Sequence, residues 1–107
     1  MMDRQDSNYS KIVDKARSIA SPDAKIYLFG SRARGDYRQD SDWDLLVIID
    51  KPSIEEDDYE KYFYPFIDLS WNMGEVINPQ LYTSSDWQES SFTPFYNNVE
   101  QDKILLA

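Results

Sequence analysis

Residues 26–50 constrain the fold of this chain more than any other stretch. The apolar residues 26–29 predict a short buried strand that ends at Gly30 and Ser31. The apolar run 43–49 predicts a second strand, and its lack of polar alternation indicates a central strand covered on both faces. Two strands around a polar insert therefore predict a small sheet with polar groups gathered where one strand ends and the next begins.

An aspartate pair lies at the start of the second predicted strand. Asp42 and Asp44 are two positions apart, so in an extended strand both side chains point to the same face, about 6.5 to 7 Å apart. At an effective dielectric constant near 20, two such charges repel by roughly 2 to 3 kcal/mol. A bound divalent cation turns that repulsion into attraction, and a site of oxygen ligands favours Mg²⁺ or Mn²⁺. The pair therefore predicts a metal site.

The glycine-serine turn suits an anion. Gly30 allows backbone N–H groups to approach a phosphate with no Cβ in the way, and a helix that begins at Ser31 adds unsatisfied donors. Ser31 has a second interpretation, in which its hydroxyl only caps that helix. A phosphate site next to a metal site is the arrangement that triphosphate chemistry requires.

The spacing of these residues resembles a known signature. Gly30-Ser31, ten intervening residues and Asp42-Trp43-Asp44 match the GS-x10-D-x-D pattern of the DNA polymerase β-like nucleotidyltransferases. The longer run LFGSRARGDYRQDSDWDLLV resembles the minimal nucleotidyltransferase (MNT) branch, which includes antitoxins paired with HEPN toxins. The resemblance implies an α/β (α+β) nucleotidyltransferase fold, a small mixed β-sheet with helices packed mainly on one face.

The same resemblance implies an activity and a set of site residues. The activity is transfer of a nucleoside monophosphate, AMP from ATP, by two-metal catalysis to a hydroxyl acceptor, such as one on a HEPN-type partner protein. Asp42 and Asp44 are the implied catalytic and metal-binding residues, and Gly30, Ser31 and Arg34 are the implied nucleotide-binding residues. Arg32 has the same two interpretations as Arg34, either a solvated surface charge or a partner of the nucleotide or the aspartates, and Arg38 is assigned to the surface.

The third carboxylate of the family site is where this sequence departs from the pattern. Aligning EVINPQLYT with the family's third strand puts Asn78 at that position, and an amide is a poor proton acceptor. Glu75 is nearby but is expected on the opposite face unless Pro79 introduces a bulge. Asp68 is expected at a helix surface. Asn78, Glu75 or a residue of a partner therefore remain open as the group that completes the site, and a non-catalytic antitoxin or nucleotide-binding module remains the alternative function.

Composition narrows the possible partners. The 107 residues predict a single domain, and a net charge of −9 makes direct nucleic-acid binding and anionic membranes unfavourable. The sequence has no cysteine and no histidine, so thiol nucleophiles and histidine bases are excluded. No signal peptide or long apolar run is visible, so a cytoplasmic protein is expected. So short a chain leaves little surface for an acceptor pocket, so a partner or a second copy in a homo-oligomer is expected to supply one.

The remaining elements are predicted from periodicity and breaker residues. Amphipathic spacing predicts a first helix from Ser7 to about residue 20, and a second over residues 53–72, with a Ser53–Glu56 capping box and a kink or split at Pro65. Residues 75–83 predict a third strand, which Pro79 confines to an edge. Residues 92–106 predict a final helix. Its core candidates are Phe95, Val99, Ile104 and Leu105; four further aromatic residues expected in the core or covering an edge are Trp71, Tyr82, Trp87 and Phe92.

Overall fold

The computed structural model describes residues 4–107, and its elements alternate between helix and sheet. The helices of this part of the chain are α1 (Arg4–Ile19), α2 (Ser31–Arg34), α3 (Glu56–Tyr62), α4 (Tyr64–Met73), α5 (Ser84–Glu89) and α6 (Pro94–Asp102). The strands are β1 (Ala24–Phe29), β2 (Trp43–Ile49), β3 (Ile77–Thr83) and β4 (Ile104–Leu105).

The four strands form one mixed sheet in the order β3-β2-β1-β4. β1 and β2 are antiparallel, and β3 runs parallel to β2, so α3 and α4 form the crossover between the parallel strands. The predicted central strand is confirmed, because β2 is interior and is flanked by a strand on each side. β3 is an edge strand, which is where Pro79 can lie without leaving a neighbouring strand's acceptor unpaired.

The two faces of the sheet have different roles. The larger core lies under α1, α3 and α4, where alternate residues of β1 and β2 pack against Ile12, Tyr62 and Phe66. On the opposite face, Trp87 of α5 and Val99 of α6 cover only part of the sheet. Most helical residues therefore pack on one face, as predicted, and the other face stays open at the end where β1 stops and β2 begins.

Two predictions concern the second predicted helix: its break at Pro65 and its N-terminal capping box. The helix is split at Phe63 into α3 and α4, and Pro65 occupies the first turn of α4, so the predicted break is confirmed. The predicted Ser53–Glu56 capping box is wrong. The box is formed by Glu55 and Asp58, because the chain stays non-helical up to Glu55 and α3 begins at Glu56.

The predicted final helix is too long. α6 ends at Asp102, Lys103 is extended, and the chain then pairs with β1 as the short edge strand β4. Ile104 and Leu105 are exposed, so their assignment to the core is wrong, whereas Val99 is buried and Leu106 enters the core in their place. Pairing with the open edge of β1 satisfies backbone groups that a longer helix would have left unpaired on that strand.

The aromatic residues divide between core and surface. Trp87 is buried and Tyr82 packs against it edge-on at a ring-centroid distance of 5.1 Å, as expected. Trp71 and Phe92 are each 84% exposed, so the expectation that they lie in the core or cover an edge is wrong for both. Phe95, a predicted core residue, is 38% exposed and packs against Phe29 and Trp87.

Among residues 4–107, no helix combines the length and the apolar character that a membrane crossing requires.

The capping box of α3 generates a prediction about stability. Asp58 accepts hydrogen bonds from the Glu55 backbone N–H (2.8 Å) and from Lys51 Nζ (2.9 Å). Asp58→Ala should lower the free energy of unfolding by about 1 to 2 kcal/mol at neutral pH, since it removes the cap acceptor of α3. Urea denaturation measures this, and Asp57→Ala, at an exposed position in the same turn, is the matched control.

The loss should depend on pH with a definite sign. Burial alone raises the pKa of Asp58, but the Glu55 N–H and the Lys51 ammonium lower it by more, so its folded-state pKa lies below the ordinary value. The stabilisation is complete above the unfolded-state pKa and disappears as pH falls through the folded-state pKa. The difference between wild type and Asp58→Ala should therefore close in acid; a difference that widens there contradicts this assignment.

Candidate active site

The two halves of the signature meet at Gly30 and Asp44. Gly30 has φ 78° and ψ −159°, a conformation that side chains disfavour, and it turns the chain from β1 into α2. A Cβ at Gly30 would stand 2.5 Å from Oδ2 of Asp44. Glycine is therefore required here for two reasons, the backbone conformation and the close approach of the Asp44 carboxylate.

Asp44 lies in a row of residues that crosses the sheet. Antiparallel pairing sets Phe29 opposite Asp44, and parallel pairing sets Asn78 on its other side. The Asn78 amide donates a long hydrogen bond of 3.4 Å to Asp44 Oδ1. The prediction that Asn78 lies beside the aspartate pair is therefore borne out by the register of β2 and β3.

The environment of Asp44 raises its pKa. Partial burial is the largest cause, the Asn78 hydrogen bond opposes it, the negative charge of Asp42 raises the pKa further, and the positive charge of Arg34 lowers it. Asp42 immediately precedes β2 and is exposed. The Asp44 carboxylate is thus half-removed from water next to a second negative charge, an environment in which an added cation would be stabilising.

The donors at this place are two carboxylates and one amide. Within residues 4–107, no three or more Asp, Glu, His or Cys side chains are grouped as a metal cage. The oxygens of Asp42, Asp44 and Asn78 suit Mg²⁺ or Mn²⁺, which commonly take one or two carboxylates from the protein and complete their shell with water and substrate phosphates. The donor chemistry therefore fits such an ion, with Asn78 in place of a third carboxylate.

Glu75 faces away from this row, as expected from its spacing. Its Oε1 accepts hydrogen bonds from Trp43 Nε1 (3.0 Å) and Asn8 Nδ2 (2.6 Å). Trp43 belongs to the core under α1 and α4, on the face of the sheet opposite to Asp44. Asp68 lies exposed on α4. Neither carboxylate is positioned to replace Asn78.

The two arginines of α2 have different environments. Arg34 is half-exposed, and it contacts Asp36 through Nε (3.2 Å) and Asp102 at the end of α6 through Nη1 (2.8 Å), which raises its pKa. Arg32 is buried and forms its ion pair with Glu75, at 3.7 Å, so neither sequence interpretation of Arg32 describes it. Arg38 is exposed, as assigned.

The structure brings Gly30, Asp44 and Asn78 together, and the contacts that Arg32 and Arg34 make around them were not predicted. Asp102 is 68 positions from Arg34, and no local pattern connects the two residues. The burial of Arg32 had one available signal, the aromatic residues Tyr37, inside the polar insert, and Trp43, directly after it. The Arg32 guanidinium lies over both rings.

Known proteins match the part of the chain that contains the candidate site residues. The family described as "Nucleotidyltransferase domain" matches residues 9–86, a range that includes every candidate site residue from Gly30 to Asn78. A candidate protein adenylyltransferase of Methanocaldococcus jannaschii (strain ATCC 43067 / DSM 2661 / JAL-1 / JCM 10045 / NBRC 100440) is 33% identical over 82 residues, which cover 76% of this chain and 76% of that protein.

Two solved structures share the fold at low sequence identity. A toxin–antitoxin crystal structure with AMP-PNP is 20% identical with a TM-score of 0.59, covering 94% of this chain and 73% of that chain. A structure of the tri-AMPylated HEPN toxin of Shewanella oneidensis in complex with MNT antitoxin is 19% identical with a TM-score of 0.56, covering 98% of this chain and 72% of that chain.

The sheet order, the glycine-serine turn against Asp44, and a family match over residues 9–86 thus agree, and the chain belongs to the nucleotidyltransferase domain family.

Proposed function

We propose that this protein is a metal-dependent adenylyltransferase that transfers AMP from ATP to a hydroxyl group of a partner protein. The observation that carries the proposal is the Asp44 carboxylate held against Gly30, since it joins the anion turn and the aspartate pair in one site. The named activity of the Methanocaldococcus jannaschii relative and the AMPylated toxin in the Shewanella oneidensis complex support AMP as the transferred group.

Each residue of the site has a role in this proposal. Asp42 and Asp44 hold Mg²⁺ or Mn²⁺, and the ion, when bound, neutralises charge on the triphosphate and on the departing pyrophosphate. Gly30 leaves space for the triphosphate beside Asp44, and Ser31 binds it through its hydroxyl and backbone. Arg34, whose charge already reaches Asp44, adds positive charge on the same side.

The reaction joins the acceptor oxygen to the α-phosphorus and releases pyrophosphate and one proton. The chain has no histidine to take that proton, the Asn78 amide is a poor acceptor, and Asp42 and Asp44 are assigned to the metal, so the proton passes to water or to a basic group of the partner. The main contribution of the protein is alignment of the acceptor, the α-phosphorus and the leaving group.

The partner supplies the acceptor pocket that this domain lacks. The open side of the site is bounded by α5 and α6, of six and nine residues, which leave little surface for an acceptor pocket. A HEPN-type protein is the proposed partner, because HEPN toxins accompany the matched folds, and a second copy of this chain is the competing source. The net charge of −9 favours a partner with a basic surface.

A labelling experiment tests the activity. ATP labelled at the α-phosphate should transfer label to a HEPN-type partner with Mg²⁺, and ATP labelled at the γ-phosphate should not. Asp44→Asn and Asp42→Asn should each reduce transfer by more than about 100-fold, since losing a metal ligand should cost more than the 10- to 100-fold typical of its supporting groups. Asp68→Asn, which removes an exposed carboxylate of α4, is the control. Transfer that survives Asp44→Asn contradicts the proposal.

The close approach at Gly30 gives a second test. Gly30→Ala should abolish nucleotide-dependent transfer, because its Cβ would displace Asp44 Oδ2. Gly74→Ala is a matched control, since Gly74 also has a positive φ of 74° but has nothing within 4 Å of an added Cβ. Gly74→Ala should lose about 1 kcal/mol of unfolding free energy through backbone strain. Gly30→Ala should lose more, because φ 78° with ψ −159° is a conformation almost confined to glycine and its Cβ also meets Asp44, so circular dichroism is used to establish that the variant is folded before transfer is compared. Equal activity of the two variants contradicts the assigned geometry.

A second candidate function follows from the amide at Asn78. A site with two carboxylates and an amide can bind a nucleotide and its metal without efficient transfer, so the protein would act as an antitoxin or nucleotide-binding module that sequesters its HEPN-type partner. Binding of the partner that is unchanged by Asp44→Ala, with no label transferred, would favour this function over the enzyme.

Asn78→Asp separates the two functions. A third carboxylate beside Asp44 should tighten Mn²⁺ binding about tenfold, because it adds a full negative charge within a few ångströms of the ion. Asn72→Asp, which adds the same charge at an exposed position on α4, should not. If wild type transfers AMP, the enzyme stands. If only Asn78→Asp does, the native chain is the sequestering module. Unchanged Mn²⁺ affinity in Asn78→Asp would remove Asn78 from the site.

A further inference from the structure

The backbone of Arg32 lies next to the glycine-serine turn, but its side chain reaches the loop and strand that carry the aspartates. Its backbone lies in α2, one residue after Ser31, and its side chain is fully buried. The guanidinium lies over two aromatic rings, with its central carbon 4.5 Å from the ring centroid of Tyr37 and 4.3 Å from that of Trp43. One side chain therefore connects the helix that carries the glycine-serine turn with the loop and strand that carry the aspartates.

The polar contacts of Arg32 are made to the loop that leads into Asp42. Nη2 donates to the carbonyl oxygens of Gln39 (3.2 Å) and Ser41 (2.9 Å), and Nε donates to that of Ser41 (3.2 Å). Ser41 directly precedes Asp42. The same Nη2 is 3.7 Å from Oε2 of Glu75, which forms the ion pair with Arg32. Arg32 thus fixes the peptide group from which the Asp42 side chain departs.

Stability alone does not account for this arrangement. A buried ion pair is often no more stabilising than apolar residues of the same size, since removing both charges from water is costly. Nη1 of Arg32 is buried with no hydrogen-bond partner among the described residues, which adds a further cost. Arg32 is thus buried at a cost in stability, and it donates three hydrogen bonds to one short loop. These two facts together indicate that its role is to position the loop.

The loop has little other support. Gln39, Asp40 and Ser41 line a cavity of about 370 Å³ between the loop and the turn at Gly74 and Glu75. Besides Arg32, the described contacts that order this loop are local, from the Arg38 N–H to Ser41 Oγ (2.8 Å) and from the Ser41 N–H to the Arg38 carbonyl (3.0 Å). In the described part of the chain, the loop has no packed neighbour on the side that faces the cavity. Its position is therefore set by the hydrogen bonds from the Arg32 guanidinium.

We propose that Arg32 is a positioning residue that holds the Gln39–Ser41 backbone and thereby sets the place of the Asp42 carboxylate relative to Asp44. The final step, metal binding at Asp42, rests on the proposed function. The positioning of the loop does not. A lysine at this place keeps the charge but lacks the planar fork by which Nε and Nη2 donate together to the loop carbonyls while the guanidinium lies over two rings.

The test compares full-length wild type with Arg32→Lys by two measurements. Hydrogen exchange of the amides in residues 37–42 reports the loop, and calorimetric titration with Mn²⁺ reports the site. Arg32→Lys should accelerate loop exchange and weaken Mn²⁺ binding, each by about tenfold or more, the effect expected when the support of a metal ligand is lost. Arg38→Lys, at an exposed position in the same loop, should change neither by more than about twofold.

A variant that removes both buried charges guards against simple unfolding. Arg32→Met with Glu75→Gln should stay folded, because neither partner is left as an unpaired buried charge, and its loop should exchange as fast as that of Arg32→Lys. If wild type binds no Mn²⁺, the proposed function is refuted. If Arg32→Lys then still accelerates loop exchange, the positioning role of Arg32 stands. Loop exchange in Arg32→Lys within about twofold of wild type overturns the positioning role.

Discussion

The structure depends on placing a half-buried carboxylate against a glycine. Asp44 belongs to the central strand and cannot move away from the Gly30 turn without disturbing β2, whose other residues fill the core. Burial and Asp42 both act against its negative charge, and only Asn78 and Arg34 oppose them. A fold that keeps this arrangement accepts a local electrostatic cost, and such costs gather at functional sites.

The division of the sheet into two faces explains how so short a chain can carry a site. The face under α1, α3 and α4 holds most of the apolar core and therefore most of the stability. The opposite face is covered by Trp87 and Val99 at one part and leaves the row of Asp44 and Asn78 accessible at the other. Because side chains alternate along an extended chain, Trp43 packs in the core while its neighbours Asp42 and Asp44 face the candidate site.

The sequence was sufficient where local chemistry decides the outcome. The apolar run of β2, Pro79 on an edge strand and the break before Pro65 were all predictable, and the alignment of residues 75–83 with the third strand of the family gave the place of Asn78. The sequence was insufficient for features that depend on contacts between residues far apart in the chain. β4 forms because the edge of β1 is free, and Arg32 is buried because Trp43, Tyr37 and Glu75 contact it from three separate parts of the chain. Trp71 is exposed because it lies five residues after Phe66 and two after Leu69, which turns it away from the packed face of α4.

The most direct test of the central claim is the position of a bound ion. Anomalous diffraction from crystals grown with Mn²⁺ and a non-hydrolysable ATP analogue locates the metal without reference to activity. The Asp42–Asp44 site predicts a peak about 2.0 to 2.2 Å from a carboxylate oxygen of each aspartate, with the triphosphate at the Gly30–Ser31 turn. A nucleotide and metal bound elsewhere, or an ion out of reach of Asp44, would contradict it.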